Sequence, residues 1–268
     1  DVLLPDQCWV TGAAVGAESP HLAAPVREAV ARGLLVNHCR RCGMTLGPFE
    51  RHDWRMPCQH CPGRDLGIRT LARVGTFAPP LSQVVYQLKF RGSWELTGVM
   101  GPFRFQALAR VAEEQGVSVD ALVPLPLHWW RRVRRGFNQA EELARALAAL
   151  GGWELLQPLR RVKATHEQAR IHYKTRRRAN VQGAFACQPD VRLHGKHIWL
   201  LDDVCTTGAT LHAAATAIRK LAPAIRPASI NAVVLCVTDR HGSDGASEAA
   251  AVEELDSDEV ADDLASGT

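Results

Sequence analysis

The chain has 268 residues, 46% of them hydrophobic, and 32 Lys and Arg set against 28 Asp and Glu give a formal net charge of +4. That is enough apolar side chain for one sizeable α/β domain and a small module, with the composition of an ordinary folded protein. No apolar run reaches the ~18–20 residues a bilayer span needs and no secretory leader pattern opens the chain, so cytoplasmic residence without membrane insertion is the expectation.

The charge is unevenly spread. Residues 242–268 hold nine acids and no Lys or Arg, which leaves residues 1–241 with 32 basic and 19 acidic side chains, a net +13. A tail of Ser, Gly, Ala, Asp and Glu cannot bury enough apolar surface to offset its ordering entropy and is expected to be disordered. The body is basic enough to attract phosphates, on a nucleotide or on a nucleic acid.

In chain order, Cys8 comes first, in Leu4-Pro5-Asp6-Gln7-Cys8-Trp9-Val10-Thr11, and looks like half of a metal knuckle whose second cysteine position holds Thr11. One thiol makes no site, so this half is expected to be metal-free. Val26, Ala29, Val30, Ala31, Leu34 and Leu35 recur at helical spacing and predict a short amphipathic helix within residues 20–36. Then come Cys39-x2-Cys42 and, fifteen residues on, Cys58-x2-Cys61. Each C-x2-C pair can chelate one edge of a metal from a tight turn, and two such pairs complete a tetrahedral thiolate site for structural Zn²⁺. Disulfides are the competing reading, disfavoured in a reducing compartment. His38, His52 and His60 lie close by, but four thiolates fill the shell, and these histidines are expected at the surface.

Gly63-Arg64-Asp65-Leu66-Gly67 reads as a linker, which divides an N-terminal helix and four-cysteine module (1–66) from a second domain (67–241), followed by the acidic tail (242–268). Ile68 to Phe77 predicts a strand, Ser82 to Phe90 and Phe103 to Glu114 predict helices, and Ala121 to Pro126 a short strand running into a proline-stiffened loop. In that loop four arginines between positions 131 and 135 precede Gly136-Phe137-Asn138-Gln139 and a helix from Ala140 to Leu150. Guanidinium forks and helix-start N–H groups together suit a diphosphate. Trp129 and Trp130 beside them either stack bases of single-stranded nucleic acid or, the blander and favoured reading, pack on the domain and cover aliphatic stems.

Basic sequence runs from Arg160 to Arg178, a strand-like segment from Val181 to Ala186, and a last strand from Ile230 to Val237. Between these lies Ile198-Trp-Leu-Leu-Asp-Asp-Val-Cys-Thr-Thr-Gly-Ala-Thr210. Its apolar run reads as a buried strand ending in Asp202 and Asp203, and a helix follows from Ala209 to about Leu221. A strand, a hydroxyl-rich turn and a helix N-terminus form a phosphate cradle, because the first-turn N–H groups lack partners and the helix dipole favours an anion. The P-loop pattern is absent. Paired acids ahead of such a cradle face neutral hydroxyls or a metal, as on a ribose 5-phosphate. Strands alternating with helices predict a parallel α/β sheet with Asp202 and Asp203 at its carboxyl edge.

This stretch resembles the loop with which type I phosphoribosyltransferases bind 5-phosphoribosyl 1-pyrophosphate (PRPP). Together with Val123-Pro-Leu-Pro-Leu-His128, Arg135-Gly-Phe-Asn-Gln139, Tyr86-Gln-Leu-Lys-Phe-Arg-Gly92 and the segment from Thr165 to Phe185, it is similar to the ComF/GntX family of bacterial competence and DNA-utilisation proteins, from about Cys39 to Thr238. Two departures stand out: an N-terminal cysteine pair common in the family is reduced to Cys8, and His166 and Glu167 replace proline-rich sequence.

The resemblance implies a type I phosphoribosyltransferase-like sheet with flanking helices behind a zinc-ribbon-like module, and PRPP with Mg²⁺ as ligand. Thr206, Thr207, Gly208, Ala209 and Thr210 would hold the 5-phosphate, Asp202 and Asp203 the ribose hydroxyls, and Arg135 and Gly136 the pyrophosphate. Cys39, Cys42, Cys58 and Cys61 would hold Zn²⁺, and Lys163 to Arg178 would form a basic flap. Asp203 would stabilise an oxocarbenium-like state during transfer. The rival expectations are a non-catalytic protein that binds single-stranded DNA, or an adaptor docking a competence helicase or recombination mediator.

Overall fold

A computed structural model describes residues 7–16, 21–47, 49–50, 56–90, 95–126, 139–162 and 183–239. The acidic segment 242–268 lies outside these residues. Helix α1 (Ala24–Leu35) starts with a proline in its first turn and buries Val26, Val30 and Leu34 along one stripe. It approaches strand β1 (Leu71–Thr76) closely through Gly33, where a Cβ would sit 3.1 Å from the Val74 carbonyl oxygen.

Helices α2 (Leu81–Phe90) and α3 (Glu95–Gln115) follow. The expected helix from Phe103 in fact begins at Glu95, with Pro102 inside it. Proline removes one backbone hydrogen bond, but burial of Leu96 and Met100, both fully inaccessible, outweighs that loss. Strand β2 (Ala121–Pro124) leads through residues 127–138, outside the described set, to α4 (Gln139–Gly151). Leu143, Ala144, Leu147 and Ala148 form its buried face. A two-residue strand β3 (Glu154–Leu155), the antiparallel pair β4 (Leu159–Arg161) and β5 (Phe185–Cys187), strand β6 (His197–Cys205), helix α5 (Ala209–Arg219) and strand β7 (Ser229–Val237) complete the chain.

Five strands form one parallel sheet in the order β1-β7-β6-β2-β3. Alternation along β6 explains its continuous apolar run: Trp199 and Leu201 enter one core layer, with residues of α1 to α4, while Ile198 and Leu200 enter the other, with α5, the β4–β5 pair and the cysteine segment. Both faces are covered, as parallel sheets require. Cys39, Cys42, Met44 and Leu66 share that second layer with Leu71, Ala232 and Val234 of the sheet.

Two turns near the N-terminus have the same backbone form. In the first, Gly12 N donates to Cys8 O and Cys8 N to Ala13 O, each at 2.7 Å; in the second, Gly43 N donates to Cys39 O at 2.8 Å and Cys39 N to Met44 O at 2.9 Å. The glycines sit at φ +71° and +76°, and isolated antiparallel bridges (Gln7 with Ala14, His38 with Thr45) flank the two turns. The Cys8 turn is thus a knuckle in backbone form with Thr11 at the second thiol position. Its Cys8 side chain is 1% exposed and belongs to the apolar layer of α1 to α4.

Among the described residues Trp199 is the largest fully buried side chain, and its Nε1 donates to Ser118 O at 3.2 Å. Trp199→Ala is expected to cost about 3–5 kcal/mol of stability in a denaturant titration, whereas a loss below about 1 kcal/mol would mean the ring fills no essential volume.

Candidate functional site

The chain leaves β2 through α4 toward β3 and leaves β6 through α5 toward β7, so the connections of these neighbouring strands diverge. Divergent connections open a crevice at the carboxyl ends of the two strands. Leu125 N, just past β2, donates to Leu201 O at 3.0 Å, and the next residues of β6 are Asp202 and Asp203. The expected acid pair therefore sits at this switch point. Arg135 and Gly136, and the basic segment 163–182 that joins β4 to β5, lie outside the described residues.

Both carboxylates are half-buried. Asp202 Oδ1 accepts from Asp203 N at 2.9 Å and Asp203 Oδ1 from Val204 N at 2.7 Å, so each acid is steadied by the following amide. Beneath them lies a residue that sequence reasoning did not single out. Arg104 of α3 is fully buried, and its Nη2 donates to Asp202 O at 2.7 Å. Burial pushes its pKa down to about 10, against the opposing pull of the Asp203 and Asp202 charges. Its Nε and Nη1 are buried without a hydrogen-bond partner. A signal existed: Met100, Arg104, Ala107, Leu108 and Val111 form one buried helical stripe, in which an arginine is out of place unless it meets charge.

Beyond β6, Thr206 and Thr207 lead to Gly208, which caps α5 in the left-handed region at φ +79°. No side chain caps this helix and no acid stands in its first turn, while Ala209 N is 3.4 Å from Thr207 Oγ1. The turn around Thr206, Thr207, Gly208, Ala209 and Thr210 therefore presents helix-start N–H groups and hydroxyls beside the acid pair, an arrangement suited to an anionic group.

The stretch read as a linker is part of the packing around this turn. Arg64 is 6% exposed and Leu66 2%. Arg64 Nε donates to Cys42 O at 3.1 Å and its Nη2 reaches Cys205 Sγ at 3.7 Å, so one side chain joins the cysteine segment to the end of β6. A Cβ on Gly208 would overlap Leu66 Cδ2. Cys205 is fully buried, and burial, partly opposed by Arg64, raises its pKa. It is a protonated packing thiol and not a nucleophile.

Cys39, Cys42, Cys58 and Cys61 offer sulfurs that all lie within 4.8 Å of one another, with neighbouring pairs at 3.6–3.7 Å. A tetrahedral Zn²⁺ with bonds of about 2.3 Å spaces its sulfurs about 3.8 Å apart, whereas a disulfide needs about 2.05 Å. The four cysteines could therefore hold a structural metal such as zinc. Burial and the neighbouring Cys39 charge push the Cys61 thiol up to about 12, and a hydrogen bond with Cys39 together with burial pushes Cys42 up as well. A central dication reverses that penalty by favouring thiolates.

The segment is anchored on several sides. Arg40 Nε donates to Glu114 Oε2 of α3 at 2.8 Å, Thr45 N donates to Asp239 Oδ2 at 2.9 Å, and Arg73 Nη2 of β1 donates to Thr45 Oγ1 at 2.7 Å. The histidines depart from the surface expectation. His38 is 1% exposed and accepts from Arg40 Nη1 at 2.6 Å, and burial beside Arg73 and Arg40 holds its pKa well below the usual range, so it is neutral. His60 is half-buried, with its N–H 3.4 Å from Cys58 Sγ, and His52 lies outside the described residues.

No protein family profile matches the chain. Individual proteins do. The DNA utilization protein YhgH of Salmonella typhi is 31% identical over 211 residues, which cover 78% of this chain and 88% of that protein. Competence protein F of Haemophilus influenzae is 28% identical over 187 residues, 69% of this chain and 79% of that one. Competence protein ComFC of Bacillus subtilis is 30% identical over 151 residues, 55% and 57% of the respective chains.

The contact of Leu66 with Gly208 is directly testable. Gly208→Ala places a side chain in a left-handed conformation and against Leu66, and is expected to cost about 1–3 kcal/mol in urea unfolding. In a Leu66→Ala background the added cost should shrink to the backbone strain alone; equal costs in both backgrounds would deny the contact.

Proposed function

The chain belongs to the ComF family, and from that kinship we propose that it serves DNA utilisation through a domain that binds PRPP with Mg²⁺ and transfers its phosphoribosyl group. The observation that carries this reading is the uncapped start of α5, with its Thr-Thr-Gly-Ala-Thr turn, directly after two adjacent carboxylates at the switch point of the sheet. In this reading the first-turn N–H groups and the hydroxyls of Thr206, Thr207 and Thr210 receive the 5-phosphate, and Gly208 and Ala209 let the backbone approach it. Asp202 and Asp203 accept from the ribose 2′- and 3′-hydroxyls. Arg135 and Gly136 receive the pyrophosphate from the loop after β2, whose described end lies alongside β6.

In transfer, the bond from C1 to the pyrophosphate oxygen breaks, the acceptor's lone pair forms the new bond to C1, and pyrophosphate departs. Positive charge gathers on the ribose in between, and Asp203 stabilises it. Arg104 offsets the repulsion of the two carboxylates from inside the protein, so that they need not separate before substrate arrives. The carboxylates and the substrate's own oxygens are hard donors of the kind Mg²⁺ takes, and the ion supplies charge neutralisation for the leaving pyrophosphate.

The four cysteines hold Zn²⁺ as a closed structural site, which fixes Arg64 and Leu66 against the phosphate turn.

Two measurements test these assignments. Calorimetry with PRPP and Mg²⁺ is expected to give a saturable heat that weakens at least tenfold in Asp202→Asn/Asp203→Asn; no heat at millimolar PRPP would overturn the binding claim, and a pyrophosphate-release screen over bases and amines then reads transfer. Metal analysis should find one zinc per chain, lost together with a sharp fall in thermal midpoint in Cys58→Ser and retained in Cys8→Ser.

A further inference from the structure

The rim of the sheet opposite the acid pair carries a second feature. A cavity of about 290 Å³ opens between the end of α5 and the start of β7, and Arg69, Arg219 and Arg226 line it. The three arginines come from separate segments: the approach to β1, the last turn of α5, and the loop that enters β7. All three are exposed, and among the described residues none forms an ion pair with a carboxylate. Half of the twelve other described arginines, Arg32, Arg40, Arg73, Arg110, Arg145 and Arg192, meet an acid instead.

The carboxyl end of a helix is the wrong pole for an anion. Here side chains offset it. Arg219 stands in the last turn of α5, and Arg226 Nε donates to Leu221 O at 2.6 Å, which neutralises a carbonyl past the helix end and steadies the guanidinium at the cavity. Ile68 and Pro227 line the same cavity, with the fully buried Ile218 beneath. Three exposed guanidinium groups and the half-buried apolar side chains of Ile68 and Pro227 thus share one groove. A compact inorganic anion has no use for the apolar part, but a strand that presents phosphates on one side and sugars and bases on the other uses both.

We propose that this groove binds the phosphodiester backbone of a single-stranded nucleic acid. It lies at the amino end of β7, and Asp202 is in register with Val234, five residues beyond Ser229, which at about 3.3 Å each is roughly 17 Å along the strands. Strand binding and ligand binding at Asp202 and Asp203 therefore use different rims, and neither reading depends on the other.

The test is fluorescence anisotropy of a labelled 20-residue oligothymidylate, with the full chain, over a salt series. Arg69→Ala/Arg219→Ala leaves the Arg226 hydrogen bond and the core intact, and an unchanged thermal midpoint verifies this. The expected result is roughly tenfold weaker binding and a log–log salt slope shallower by about 1.4, from two phosphate contacts at about 0.7 each. Asp202→Asn/Asp203→Asn should leave oligonucleotide affinity as it is, and the arginine variant should keep any heat of PRPP binding. Undiminished binding in the arginine variant overturns the proposal. So does an equal loss in Arg32→Ala/Arg160→Ala, which removes the same charge elsewhere on the surface. Displacement of the oligonucleotide by thymidine monophosphate or inorganic phosphate at micromolar concentration would make the groove a free-anion site and overturn it as well.

Discussion

Adjacent carboxylates repel, and at the end of a strand covered on both faces that repulsion is screened far less than in water. Asp202 and Asp203 occupy such a place, and the structure meets the problem from within. Arg104 lies fully buried under the strand end, close enough to hold the Asp202 carbonyl at 2.7 Å and to feel both negative charges. A buried cation is itself expensive, since burial pulls its pKa down to about 10 even against the Asp203 and Asp202 charges, and two of its nitrogens find no partner. Cation and acids therefore justify one another: remove the acids and the guanidinium is stranded, remove the guanidinium and the acids must part. The chemistry of the carboxyl edge rests on this balance, and so does the position of the turn that follows it.

The same turn is held from the other face by the cysteine segment. Arg64 ties the Cys42 carbonyl to the Cys205 sulfur, and Leu66 occupies the space that only a glycine at position 208 leaves open. Arg40 and Thr45 extend the attachment to α3 and to the end of β7. A four-cysteine segment usually looks like an appendage in sequence; here two of its thiols, Cys39 and Cys42, share an apolar layer with the sheet, so order in the segment and order in the Gly208 turn are one packing problem.

Much of this was legible from the chain alone. The apolar run before Asp202, the helix after Gly208 and the two C-x2-C pairs each carry a local signal, because a buried parallel strand, a helix start and a chelating turn are decided by neighbouring residues. Where the sequence misleads, the deciding partner is remote. Pro102 marks a helix start by local rules, yet α3 continues through it because Leu96 and Met100 are buried. Gly63 to Gly67 reads as a linker by composition, yet Arg64 and Leu66 are fixed by Cys205 and Gly208, some 140 positions away. His38 reads as a surface residue until Arg40 and Arg73 close over it. At the acid pair, sequence places Asp202 and Asp203 at the strand end and is silent on Arg104, whose contact with Asp202 exists only once α3 packs on the sheet.

The paired N-terminal turns show two ways to hold one backbone form. The second brings four sulfurs within 4.8 Å of one another, a set that could hold a structural metal such as zinc. The first keeps the same hydrogen bonds and the same left-handed glycine with a single thiol turned into the apolar interior. Burial has taken the place of chelation there. Any dependence on a metal would therefore fall on the turn at Cys39, while the one at Cys8 is held by backbone bonds and by its place in the apolar layer. One backbone form thus occurs twice in this chain, once with the thiols to chelate an ion and once without them.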